Sequence, residues 1–338
     1  EFTVTDRNVT DGTNTAVEKV LSNTETGENV TLVVNMGGRV ESLFLRQRAC
    51  VQPSVCVIVC VWQCVCGNNA TAILEPSGFR GLMLIPYANR VANATYVFNN
   101  TRYFLPVNEP SRNNSIHGLM YNKTMSVVFN SSDDGQATVT LAHQFGSDPG
   151  YPFLLNVAVT YTLSATGLSI NVFARNDNKE WPLPFFNSWH PYFNVDDVSR
   201  TTVTLDSCTS WNHVDVNPSS LIPTGSSSLW TNFDGGQPIG GNSSSPTPYD
   251  DGVKSRSQCE PGSLFHTSIS DGNIHAVLWA DASFRFMQVF TGAKARFNRS
   301  SIAVEPMSGK CDAFNNHDGL HILSGGESFS SSFGIYLR

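Results

Sequence analysis

A chain of 338 residues with 40% apolar side chains can bury a sizeable core, and its length lies within reach of one large all-β domain. Only 14% of residues are charged, well under the roughly 25% of an ordinary soluble domain, so neutral Ser, Thr, Asn and Gly wet the surface. A net charge of -7 and a pI near 5.6 disfavour a nucleic-acid partner, and no apolar run approaches the roughly 18 residues of a membrane-spanning helix.

The chain opens EFTVTDRN without an initiator Met, as either a processed terminus or a cloning remnant would. From residue 31 the hydrophobic period is two. TLVVNMGGRVESLFL (31–45) alternates on either side of a Gly-Gly turn. The next stretch, 48–67, is rich in cysteine: Cys50, Cys56, Cys60, Cys64 and Cys66 fall close together, while Cys208, Cys259 and Cys311 are scattered. The spacing lacks paired C-x₂-C knuckles and the intervening residues are Val, Ile and Trp, so disulfides or buried thiols fit better than zinc. Cys56, Cys60, Cys64 and Cys66 would share one strand face, placing them to bridge a hairpin or two copies of the chain. Cys311, His317 and His321 resemble a ligand set only in composition.

Further along, ATVTLAHQF (137–145) predicts a strand, and NVAVTYTLSATGLSINVFARN (156–176) a hairpin turning at Ala165-Thr166-Gly167. Residues 217–262, dense in Ser, Gly and Pro, read as long surface loops within a domain rather than as a linker. HAVLWAD, RFMQVFTG, SSIAVEPM and SFSSSFGIYLR continue the strand pattern to the end. No stretch of 12 or more residues carries a helical period, and no blade-length repeat appears. The class is all-β, a sandwich rather than a propeller.

Ten Asn-x-Ser/Thr sequons occur, at Asn8, Asn29, Asn69, Asn93, Asn99, Asn113, Asn122, Asn130, Asn242 and Asn298. With eight Cys and low charge they point to a secreted, extracellular glycoprotein of eukaryotic type.

Four polar residues interrupt mostly apolar, aromatic or turn-forming segments: Arg90 in LIPYANRV, His117 in NNSIHGL, His190 in NSWHPYFN and Glu305 in IAVEPM. A lone His among aromatics is more often a hydrogen-bonded core residue than a catalyst, and Arg90 could simply pair with an acid. Glu305 resists that bland account, because a carboxylate following Ile-Ala-Val must be partly buried and needs a partner. A buried Glu with one or two His residues forms a proton-transfer set of tunable pKa.

The order PYANRV, SIHG, HPYFN and AVEPM followed by DAFN, with LIPTG at 221–225 and the closing GGES strand, resembles the aldose 1-epimerase (galactose mutarotase) family from about residue 30 to the C-terminus. The resemblance implies a large β-sandwich, one domain over 1–338, with an open sugar-binding cleft and no metal or organic cofactor. It implies interconversion of the α and β anomers of free hexoses by ring opening and reclosure. Glu305 would be the general base on the anomeric hydroxyl and His190 the general acid on the ring oxygen. His117 and Arg90 would hold sugar oxygens, with Asn89 orienting the Arg. The family's sugar-gripping aspartate matches Asp250 in PTPYDDG, with Asp251 as the alternative. Trp189 and Phe193 could stack on a sugar face or pack in the core.

Two features depart from the family pattern: the Cys-rich segment, and sequons at Asn93 and Asn113 beside the expected site. They favour a second expectation, a secreted structural or filament-forming glycoprotein, or a non-catalytic sugar binder, self-associating through the Cys-rich strands. The partner under the first expectation is a small aldose, with no nucleic acid and no membrane span.

Overall fold

Strict alternation produces the clearest elements. Leu155–Ser164 buries every second side chain, and it pairs with Gly167–Asn176 from Leu155↔Asn176 to Ser164↔Gly167. That is the expected hairpin, its turn at Ala165 and Thr166. The computed structural model describes residues 1–46, 56–60, 69–206, 210–230, 239, 249–256, 260, 262–291 and 301–338.

Three larger sheets carry the architecture. A five-stranded antiparallel meander runs Phe2–Thr10, Thr15–Asn23, Asn29–Val33, Arg39–Arg46 and Cys56–Cys60. Gly37 and Gly38 both adopt positive φ at the expected turn, and a Cβ on Gly37 would lie 2.4 Å from the Met120 carbonyl oxygen. An eight-stranded sheet runs from the edge strand Ser126–Ser132 through Gln136–Gln144, the hairpin, Ser328–Leu337, His275–Asp281 and Leu264–Ser270 to Thr202–Asp206. A second eight-stranded sheet orders Pro223–Trp230, Trp211–Val216, Asp250–Ser255, Phe286–Phe290, Ser301–Met307, Ser188–Trp189 and Met83–Leu84, with Tyr192–Asn194 also paired to Ser301–Met307.

The two eight-stranded sheets meet face to face. Trp189 of one stacks on Phe333 of the other at 5.5 Å, and Trp211 meets Phe265 at 5.6 Å. The meander joins the same core, where the Tyr161 hydroxyl donates to the Gly38 carbonyl at 2.6 Å. One apolar cluster runs through all three sheets, from Phe2 to Ile335. Helix is confined to short turns such as Ala70–Ile73 and Ala313–Asn316. No helix among the described residues is long and apolar enough to cross a membrane.

One expectation needs correcting. Residues 217–262 are not loop throughout, because Pro223–Trp230 and Asp250–Ser255 are strands of the second sandwich sheet. The first lies at the sheet edge with its Gly-Ser-Ser-Ser run exposed, so nothing in it needs to be apolar and no alternation shows. In the Cys-rich segment, Cys56–Cys60 pairs antiparallel with Arg39–Arg46. Cys50, Cys64, Cys66, Cys208 and Cys259 lie outside the described residues, as do the sequons Asn242 and Asn298.

Candidate active site

The strand Ser301–Met307 is buried along its whole length. A carboxylate on such a strand is carried out of water whichever face it takes. Glu305 is 2% exposed, and register places it directly opposite Gln288, which in turn stands opposite Gly252. Two residues along, Asp250 stands opposite Phe290. Because side chains alternate, Glu305, Gln288, Phe290 and Asp250 line one patch of the sheet. Together with Gly78, Phe79, Asn89, Arg90, Ile116, His117, His190 and Tyr192 they line an open cleft.

All six residues expected at the site therefore meet there: Asn89, Arg90, His117, His190, Asp250 and Glu305. His190 Nε2 lies 3.3 Å from Glu305 Oε1, and the His190 ring is stacked on Tyr192 at 5.0 Å. The His117 ring stands edge-on to His190 at 5.1 Å and against Phe79 at 4.7 Å.

Local backbone explains how His117 and Arg90 come together. Arg90–Val91 and Ser115–Ile116 form a two-residue antiparallel ladder, and the His117 N–H donates to the Asn89 carbonyl at 3.0 Å. Asn89 and His117 both adopt positive φ, a conformation Asn and His tolerate better than most residues. Gly118 follows with φ +72, and a Cβ there would lie 2.4 Å from the Ile85 carbonyl oxygen. The SIHG motif thus requires its glycine.

Arg90 is gripped from two sides. Its Nε donates to both Glu109 carboxylate oxygens at 3.1 Å, while its Nη2 lies 3.6 Å from Asp250 Oδ2. Asn89 also contacts it: Asn89 Oδ1 accepts from the Arg90 main-chain N–H at 2.9 Å and from Nη1 at 3.4 Å. Asn89 Nδ2 donates to Gln288 Oε1, and Gln288 Nε2 donates to Asp250 Oδ1 at 2.8 Å. Alternation turns the two aspartates to opposite faces. Asp250 faces the cleft, whereas Asp251 accepts from His213 Nε2 at 2.9 Å, and the opposite nitrogen of that ring contacts Asp215.

Burial dominates the electrostatics. It pushes His190 down to about 3 and depresses His117 well below the ordinary imidazole range, with the charge of His190 as the next cause. It raises Glu305 well above the ordinary carboxylate range, helped by Asp250 and opposed by Arg90. Asp250 is also raised by burial, with Arg90 pulling the other way. For Arg90, burial acts against the charge, but Asp250 and Glu109 outweigh it and the net shift is upward. The charge-separated pair of carboxylate and imidazolium is therefore not the form burial favours in the empty cleft. Burial favours a neutral His190 imidazole beside a protonated Glu305 carboxyl.

Trp189 and Phe193 do not reach the cleft. Trp189 is fully buried with its indole N–H donating to the Gly81 carbonyl at 3.1 Å, and Phe193 is 1% exposed. The aromatic lining comes instead from Phe79, Tyr192 and Phe290. Sequence reasoning also missed Glu109 and Gln288. Gln288 had a signal, being the single polar residue inside FMQVF. Glu109 had none, since its role depends on a loop that folds back on Arg90. Cys311 is buried against the Arg90 and Leu221 carbonyls, and among the described residues it joins no cluster with His317 or His321.

The aldose 1-epimerase family profile matches residues 62–336. An uncharacterized protein of Escherichia coli K12, YihR, is 30% identical over 268 residues, covering 77% of this chain and 80% of that one. Among solved structures, a galactose mutarotase-like protein of Clostridium acetobutylicum superposes with a TM-score of 0.76 at 16% identity, covering 99% of this chain and 98% of the other. The galactose 1-epimerase of Lactobacillus acidophilus gives 0.75 at 17% identity, over 100% and 98% of the two chains. The fold is the β-sandwich of the galactose mutarotases, and the chain belongs to the aldose 1-epimerase family.

Proposed function

We propose that the protein is an aldose 1-epimerase that interconverts the α and β anomers of free hexoses. The observation that carries this reading is the contact between His190 and Glu305, 3.3 Å apart and both buried at one cleft. The anomeric hydroxyl oxygen and the ring oxygen hang on the same carbon. A base and an acid a few ångströms apart can therefore serve both without either moving far.

Ring opening takes a proton from the anomeric hydroxyl and puts one on the ring oxygen, so the pair starts and finishes with a single proton. Glu305 acts as base and His190 as acid, and hydrogen bonds from the sugar hydroxyls offset the cost of the charged form that the empty cleft disfavours. The C1–C2 bond then rotates, and reclosure on the other face reverses both transfers. Arg90 and His117 hold sugar oxygens, Asp250 accepts from a hydroxyl, and Phe79 and Phe290 offer apolar faces to the ring. The reaction is redox-neutral, and these residues supply each proton it moves.

Polarimetry on freshly dissolved α-D-glucose and α-D-galactose tests the reading. The wild type should equilibrate anomers well above the buffer rate, and Glu305→Gln should lose about a hundredfold or more. A wild type that accelerates no common aldose would sink it, leaving the sugar-binding or structural role.

A secreted setting is part of the same proposal. Of the eight sequon asparagines among the described residues, seven are exposed and Asn29 is half-buried. Asn93 and Asn113 touch each other, Nδ2 to Oδ1 at 3.5 Å, close to the strand that carries Arg90. Protein from a secreting eukaryotic host should lose mass on enzymatic deglycosylation. Assembly through the Cys-rich segment would show as a large species that reductant dissolves, and a monomer in both conditions would refute it.

A further inference from the structure

We propose that His117, His190 and Glu305 form a binding site for a divalent first-row transition ion, zinc foremost, and that the ion occupies the cleft in competition with sugar. Ion binding stands on the three side chains alone, whereas the competition rests on the epimerase reading.

The three residues are 7%, 4% and 2% exposed, and one ligand atom from each lies within 4.8 Å of the others. Around an ion with bonds of about 2.0–2.1 Å, tetrahedral ligand atoms stand roughly 3.3 Å apart. His190 Nε2 and Glu305 Oε1 already have that separation, 3.3 Å. Two further atoms are poised for a ligand: Glu305 Oε2 and His117 Nδ1 are buried with no hydrogen-bond partner. Such orphaned groups are costly, and an ion or its waters would satisfy them. Two imidazoles with one carboxylate suit a borderline ion rather than calcium or magnesium, which take oxygen ligands. No other group of three His, Cys, Asp or Glu side chains among the described residues could hold an ion.

The surroundings say what sort of site this is. Resident metal centres fix each imidazole by a hydrogen bond from its second nitrogen to a carboxylate or carbonyl. His190, whose Nε2 faces Glu305, has no such support, since its Nδ1 is unpartnered. The site is therefore built for reversible occupancy rather than for a permanent ion. The ion would take lone pairs of Glu305 and His190, the same lone pairs that proton transfer uses. Ion and sugar thus exclude one another.

Titration of metal-free protein with Co2+ tests the proposal. The expected result is one Co2+ per chain with d–d absorption and no thiolate charge-transfer band, displaced by Zn2+. Affinity should fall at least tenfold in His117→Ala and in the isosteric Glu305→Gln, and saturating D-galactose should displace the ion. A thiolate band, or binding unchanged in both variants, would move the ion to the cysteines and overturn the site. Anomalous diffraction from zinc-soaked wild-type crystals locates the ion without any variant, and density away from the cleft would overturn it too. Co2+ bound at the three residues but indifferent to galactose would overturn the competition alone. Epimerisation seen by polarimetry with no Co2+ binding would remove this inference and leave the enzyme standing.

Discussion

The molecule buries carboxylates in two neighbouring places and treats them in opposite ways. In the N-terminal meander, Glu18 is wholly buried and pairs with Arg7 at 2.5 Å, while Glu41 pairs with Arg39 at 3.1 Å. Arg39 is engaged again by the Ile73 and Glu75 carbonyls at 2.8 and 3.1 Å. In the cleft, Glu305 meets no Lys or Arg among the described residues, only the His190 imidazole. Arg80 stands between the two regions, its charge lowering both Glu41 and His190. A buried carboxylate held against a guanidinium is a structural joint. One that meets no guanidinium or ammonium is held ready for something that comes and goes.

That contrast breaks if the two regions respond alike to substitution. The largest difference should come from Glu305→Gln, which removes about a hundredfold or more of the activity, set against Glu41→Gln, which should stay within twofold of wild type in polarimetry. Stability should run the other way. Arg39→Leu strands Glu41 and should cost about 3 kcal/mol, readable as a lowered urea midpoint with the rate per folded molecule unchanged.

The next effect concerns pH. Only the singly protonated His190–Glu305 pair can both accept and donate, so the rate should follow a plateau bounded by the pair's two titrations. Burial sets the acid limb near about 3, well below ordinary imidazole, and the alkaline limb above the ordinary carboxylate range. An acid limb near 6.5 would mean that an exposed imidazolium does the work. Stability carries the same signature. Glu305 has a raised folded-state pKa, so its contribution is fully present below the unfolded value and is lost as pH rises through the folded one. Glu305→Gln should therefore gain thermal stability over wild type as the medium turns alkaline. His190 is shifted the opposite way, and wild-type stability should fall from about pH 6.5 towards pH 3 by more than that of His190→Asn.

Smaller effects sharpen the picture of Arg90. Glu109→Gln leaves the guanidinium with half its bidentate partner and should raise KM about tenfold with kcat within twofold. A fall in kcat alone would place Glu109 in the chemistry instead of in sugar binding. Asp251→Asn should change KM by less than threefold, since that side chain faces His213 and not the cleft.

The strands and the residues of the cleft were largely legible in the sequence, for two different physical reasons. Period-two alternation exposes a half-buried strand such as Leu155–Ser164. A polar residue inside an otherwise apolar run exposes a site such as Glu305. Pro223–Trp230 escaped notice because an edge strand with no face to bury has no pattern to show. Glu109 escaped because its meaning lies in a through-space contact 19 residues from Arg90. The charge state of the pair escaped as well, since only the enclosing walls determine how far each group is dehydrated.

The consecutive aspartates at 250 and 251 face opposite ways, one towards Arg90 and one towards His213. A one-residue slip in the pairing of that strand would turn every side chain over. Slipped so that residue 251 takes the place of residue 250, it would exchange one carboxylate for another, and Arg90 would still meet an acid; slipped the other way, it would bring Tyr249 there. The doublet works as a spare part for the one slip direction that advances residue 251. That slip should accordingly be better tolerated in function than a single-residue shift in the strand that carries Glu305, where the neighbours of the carboxylate are valine and proline.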